Sequence, residues 1–239
     1  MLASYSSTMT SHSRMVSGPS SILLKPYGAV YIDIAKVASS SIKSYLASLL
    51  DLEGAEGNPH QVKFPRPKSA DPLGERIYPE LYTFAFVRNP WDRLVSCYRD
   101  KILGEVDDFT AFAESGVAHC LARFDAFSAN MSFRDFVSTV ASIPDEDADE
   151  HFRSQSHYVT NASGIVAVDF VGRYEALSDD FAHVVREIGL PMSTQLPRLQ
   201  MAPKLDYASF YTPETKAEVR ERFINDVELF EYEFSPRRG

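Results

Sequence analysis

Three apolar runs and five amphipathic stretches alternate along this chain. Residues 29–35 form a near-continuous apolar run, which reads as a strand buried on both faces in a central parallel sheet. Ile42, Tyr45, Leu46, Leu49 and Leu50 then recur at helical spacing. Residues 81–87 predict a second strand ending at Arg88. Asn89-Pro90 supplies a cap and a first-turn proline for a helix striped with Trp91, Leu94, Val95, Tyr98 and Ile102. Ser132 caps a third helix bearing Phe133, Phe136, Val137 and Val140. Residues 165–171 predict a third strand, and Ser178 opens a helix with Phe181, Val184, Val185 and Ile188. One last helix starts at Thr212-Pro213 and presents Val219, Phe223, Val227 and Phe230. Strands alternating with helices predict an α/β fold, a P-loop-like three-layer sandwich with a central parallel sheet flanked by helices.

Two loops interrupt this alternation. Residues 54–74 are rich in Pro and Gly and carry His60, Lys63, Arg66 and Lys68; residues 145–150 read as a solvated acidic loop. The first twenty residues are Ser- and Met-rich with Arg14 as their one basic residue, and predict a disordered tail ahead of a single domain over 21–239. No apolar run approaches the ~20 residues of a membrane span. Two cysteines, Cys97 and Cys120, fit a reducing, cytoplasmic setting, and no Cys/His spacing suggests zinc. A net charge of −9 argues against nucleic acid as a partner, and against a long polyanionic acceptor unless the cleft is locally basic.

The candidate chemistry lies at the strand ends. After the first strand, Lys36 leads into Val37, Ala38, Ser39, Ser40 and Ser41 at the start of a helix. Small residues let backbone amides approach a phosphate, hydroxyls add donors, and the helix dipole favours negative charge. A Ser-rich cap with an exposed lysine is the alternative. After the second strand, Arg88 and Ser96 suit a second phosphate, the alternative being Arg88 paired with Asp92. Two such sites at neighbouring strand ends point to a nucleotide with two separated phosphates.

Residues 36–41 resemble the 5′-phosphosulfate loop of sulfotransferases that use 3′-phosphoadenosine-5′-phosphosulfate (PAPS), and residues 86–101 resemble their 3′-phosphate motif. The similarity is to carbohydrate sulfotransferases of the chondroitin 4-O/HNK-1 type, sulfotransferase family 2. It continues through Glu150-His151-Phe152 and residues 169–177 to Phe230-Glu231-Tyr232. The resemblance implies PAPS as donor and a carbohydrate or other small-molecule hydroxyl as acceptor. It implies Lys36 and the 38–41 amides on the 5′-phosphosulfate, Arg88 and Ser96 on the 3′-phosphate, and Tyr174 near the adenine. Two departures stand out. Ala35 replaces the proline usual before the lysine, and Gln200-Met201-Ala202 replaces an Asn-Lys-Ser-like stretch, with Lys204 as a compensating cation.

An alcohol acceptor must lose a proton as it attacks, so a base is expected. His60 is the first candidate, from its place between the two phosphate motifs. His151 is the second, with Gln155 one turn later if that segment is helical. Lysine, arginine and helix amides supply the positive charge, so no metal is required. A non-catalytic PAPS-binding module and a P-loop kinase are the rivals, the latter lacking the pattern G-x-x-x-x-G-K-S/T.

Overall fold

A computed structural model of the chain describes residues 20–68, 70–71, 74–105, 109–191 and 206–235. The tail expected over 1–20 therefore lies, but for Ser20, outside the described residues, as do Lys204 and residues 200–202. Four strands form one sheet in the order of the chain: β1 (Ser21–Leu24), β2 (Ala29–Ile32), β3 (Tyr82–Val87) and β4 (Phe170–Arg173). β2, β3 and β4 run parallel, with Ile32 beside Ala85 and Val87 beside Arg173. β1 is antiparallel to β2, so the sheet is mixed at one edge. That edge was not anticipated, because a four-residue strand carries too few positions to display a period.

β2 is fully buried at all four positions, as its unbroken apolar run requires. Crossovers between the parallel strands carry α1 (Ser39–Leu49), α2 (Pro90–Lys101), α3 (Phe133–Ser142) and α4 (Ser156–Val159). α5 (Leu177–Glu187) follows β4, and α6 (Pro213–Arg222) and α7 (Ile224–Leu229) close the described chain. Tyr45 of α1 meets Phe181 of α5 edge-on at 5.1 Å, and Phe181 lies 6.2 Å from Phe86 of β3, so both helices pack over one sheet face. A second aromatic cluster joins α2 to α3, with Tyr98 at 5.2 Å from Phe133 and 5.3 Å from Phe136. Phe127 continues it at 5.7 Å from Phe136 and 5.9 Å from Phe152.

Several element expectations need correction: the first strand ends at Ile32 rather than residue 35, and the helix expected to open at Ser178 starts at Leu177 with Ala176 as its N-cap. The third strand begins at Phe170 rather than Ile165, which is 63% exposed. A small hairpin takes the earlier residues: Asn161 donates to the Ile165 carbonyl at 2.9 Å, and Thr160 bridges Val166. The Asp169 carboxylate then accepts from the Thr83 amide at 2.8 Å, and pairing with β3 starts just after it. The last helix is two helices, broken at Phe223 where φ is −113° and ψ 32°. The Asn89, Ser132 and Thr212 caps form as the sequence indicates.

Gly172 of β4 has no room for a side chain: a Cβ there would sit 2.5 Å from Phe86 Cε1. Gly172→Ala should lower stability by about 1–3 kcal/mol, read as a reduced denaturant midpoint at unchanged slope. An unchanged midpoint would show that this packing is loose.

Candidate functional site

The three parallel strands end at one edge of the sheet, the position where open α/β sheets bind ligands. Residues 33–38 leave β2 there, Arg88-Asn89 leaves β3, and Tyr174-Glu175 leaves β4. Lys36 and Ala38 take positive φ values of 69° and 65°. These are conformations that glycine adopts freely and that cost a residue with a side chain about 1–2 kcal/mol. A tight phosphate-type loop is thus made without glycine, and the surrounding bonds hold it. Ser39 Oγ donates to Asp33 Oδ1 at 2.6 Å, and Lys43 Nζ lies 2.5 Å from Asp33 Oδ2. The first helical bond runs from Ile42 N to the Ala38 carbonyl at 3.1 Å, so the α1 N-terminus, with Ser39, Ser40 and Ser41, opens onto the loop. Val37 is fully buried in the core, which leaves its backbone for any ligand contact.

Lys36 is not the exposed lysine of the alternative reading. Its side chain is 11% exposed and its Nζ lies 2.6 Å from Asp100 Oδ2. Lys101 Nζ lies 3.0 Å from the same oxygen. Burial pulls the Lys36 pKa below its ordinary value, and Asp100 opposes that pull. Arg88 does pair with Asp92, at 2.9 Å, yet the same guanidinium donates to the Lys36 carbonyl at 3.0 Å and lies 4.2 Å from the Tyr174 ring centre. Burial works to lower the Arg88 pKa, but Asp92, Tyr174 and Glu175 outweigh it and raise the value. The structure therefore joins Lys36, Arg88 and Tyr174 into one site. Ser96 is half-buried on α2, away from the buried Leu94 and Tyr98 stripe.

Of the two candidate bases, His60 contacts this loop and His151 pairs with Asp149. His60 is exposed, its Nε2 2.9 Å from Ser40 Oγ and its Nδ1 3.5 Å from Lys43 Nζ. His151 Nδ1 lies 2.5 Å from Asp149 Oδ1. Gln155 does not accompany His151, because residues 149–155 form turns rather than a helix. It is fully buried, and its side-chain amide makes two 2.8 Å bonds to the Arg88 amide and carbonyl, extending the end of β3. Asp226 holds Gln155 in turn through its backbone amide at 2.8 Å.

Sequence reasoning passed over Arg93. It is 3% exposed and donates to the carbonyls of Ala35 at 3.0 Å, Glu150 at 3.0 Å and Arg153 at 2.7 Å. The residue before Lys36 and the residue before His151 are thus bridged by one guanidinium. Cys120, Asp149 and His151 also come together, with one possible ligand atom each inside 4.8 Å. Arg123 lies 3.7 Å from Asp149, and the Asp149 contact with His151 makes that pair a carboxylate-held imidazole.

A family model described as "Sulfotransferase family" matches residues 21–233, and the chain belongs to that family. It is 25% identical over 174 residues to carbohydrate sulfotransferase 14 of Danio rerio, covering 63% of this chain and 44% of that protein. It is 24% identical over 212 residues to carbohydrate sulfotransferase 10 of Xenopus laevis, covering 82% of this chain and 58% of that one. An uncharacterized protein of Archaeoglobus fulgidus is 29% identical over 119 residues, covering 50% of this chain and 77% of that protein. The chain thus spans about half the length of the carbohydrate sulfotransferases it matches. No solved structure matches it. No helix among the described residues is long and apolar enough to cross a membrane.

Two carboxylates of the 145–150 loop, Asp145 paired with Arg222 and Asp149 with His151, carry an acid signature. Burial alone would raise Asp145 and Asp149, but the Ser154 amide and Arg222 on the first, and His151 on the second, hold both below the ordinary 3.8. Their contribution is fully present above that value and is lost as pH falls through the lowered native values. Stability should therefore drop on acidification below pH ~4, and Asp145→Asn should make the drop shallower. Denaturant melts across that range check this, an equally steep loss in the variant counting against it.

Proposed function

We propose that the chain transfers a sulfuryl group from PAPS to a hydroxyl of a carbohydrate acceptor. The observation that carries this reading is the 3.0 Å bond from Arg88 to the Lys36 carbonyl, which couples two cationic sites at adjacent strand ends. The residues fit a donor with two separated anionic groups. A glycine-like loop and a helix N-terminus surround Lys36, while Arg88 and the Tyr174 ring form the second half, with Ser96 two helical turns after Arg88. When bound, PAPS supplies the activated sulfuryl group. Lys36 and the amides of residues 38–41 hold the 5′ end, and Lys36 offsets charge at the departing phosphate oxygen. Arg88 and Ser96 hold the 3′-phosphate. The carbohydrate acceptor is carried over from the names of the two carbohydrate sulfotransferases.

His60 takes the acceptor proton in this reading, because its ring is exposed and already bonded to Ser40 of the loop. The 2.5 Å Asp149 contact favours His151 as the second reading, since a carboxylate on Nδ1 leaves Nε2 to accept a proton.

Labelled PAPS offered with a panel of carbohydrates tests the proposal. Lys36→Ala should lower kcat by roughly 100-fold or more. Transfer from magnesium-ATP instead would make the chain a kinase, and PAPS binding without transfer a binding module. His60→Ala should lower kcat by roughly 100-fold with donor affinity kept, and His151→Ala should not; the reverse result moves the base to His151. Arg88→Ala should weaken 3′,5′-adenosine bisphosphate far more than adenosine 5′-phosphate in calorimetry. Equal losses would remove Arg88 from the 3′-phosphate.

A further inference from the structure

The Asp100 carboxylate is 1% exposed, yet two ammonium groups share it. Its Oδ2 faces Lys36 Nζ at 2.6 Å and Lys101 Nζ at 3.0 Å. Its Oδ1 accepts from Thr110 Oγ1 at 2.7 Å, and Lys101 Nζ also reaches Thr110 Oγ1 at 3.0 Å. Two lysines to one carboxylate leave this buried cluster one positive charge in excess. The surplus lies on the loop that faces the α1 N-terminus, so an anion arriving there completes the neutralisation. Lys101 and Thr110 remain on Asp100 if Lys36 swings away, so the departure strands no bare carboxylate. Removing one partner of a simple buried pair, by contrast, leaves an uncompensated charge at high cost.

We propose that Asp100 is a positioning residue that parks Lys36 between turnovers and releases it to the incoming phosphosulfate, with Lys101 as the standby counter-ion. This rests on the reading of residues 36–41 as the 5′-phosphosulfate loop. Besides Asp100 and Lys101, Lys36 faces Cys97 of α2, whose thiol burial pushes up to about 12 and which therefore stays neutral. Lys101 faces Cys120, likewise raised to about 11. Asp100 is then the carboxylate that keeps the buried Lys36 charged while it waits.

The two partners of Asp100 should answer oppositely when changed. In Asp100→Asn, Lys36 has no carboxylate to leave. PAPS should bind severalfold tighter at mildly acidic pH, and binding should fail at a lower pH than in the parent as Lys36 loses its proton earlier. In Lys101→Met, release of Lys36 strips Asp100, and PAPS should bind at least severalfold more weakly. Calorimetric titrations with PAPS from pH ~6 to ~9, on variants shown folded by thermal melts, read all of this. Lysine NMR in the PAPS-free proteins follows the Lys36 ammonium directly and should show its titration moved to lower pH in Asp100→Asn. Affinity changes of the same sign in both variants at mildly acidic pH, where Lys36 keeps its proton in each, or an unmoved Lys36 titration, overturn the parking role. Failure of the parent to bind PAPS overturns the donor assignment itself, and the proposal with it.

Discussion

The Arg93 guanidinium is the contact on which the site's geometry depends. It projects from α2 and is nearly out of water, and it donates to three backbone carbonyls from two separate loops. Burial pulls its pKa down and Asp226 heads the groups that push it back, so the charge is held by neighbours rather than by solvent. Hydrogen bonds from charged donors to backbone oxygens are the stronger kind, and a buried cation left without them would be very costly. The loop before Lys36 and the loop carrying His151 are therefore fixed to one helix and to each other. Phe152 completes the second attachment, sinking into the aromatic cluster right after His151.

Charge pairing recurs throughout the site. Lys36 rests on Asp100, Lys43 on Asp33 and Arg88 on Asp92, and all three cations have side chains under 15% exposed. A protein of net charge −9 thus keeps cations at this edge by burying them with aspartates behind them. The fold supplies the place: parallel strands end together, and a helix N-terminus follows β2. The positive φ at Lys36 and Ala38 puts backbone strain in the same few residues, where functional loops commonly store it.

Much of this was legible in the chain. The strand ending near Lys36, the strand ending at Arg88 and the Asn89-Pro90 helix start all follow from local pattern, because a buried strand and a capped helix write themselves in consecutive residues. The Arg88–Asp92 pair is also local, being one helical turn apart. What escaped is α2's buried polar face. Asp92, Arg93, Asp100 and Lys101 look like solvated positions in sequence and are all buried in the structure. Charge in a helix reports burial only once its partners are known, and the carbonyls that Arg93 meets, like the Lys36 that meets Asp100, sit tens of residues away. The β4 start escaped for a similar reason, since Asp169 ends the preceding segment by bonding across to Thr83.

By itself the sequence determined the alternation of strands and helices, the order of the two candidate anion-binding segments and the polar residues they carry. Those are properties of short windows, where hydrophobic period and capping chemistry act over a few residues. Only the tertiary structure decided that Arg88 bonds the Lys36 carbonyl, that Asp100 holds Lys36, that Gln155 serves β3 rather than His151, and that Arg93 ties the loops together. Each of these is a contact between residues 50 or more positions apart. Such contacts form because the parallel sheet brings its strand ends to one edge, and no local period encodes which distant side chain will be waiting there.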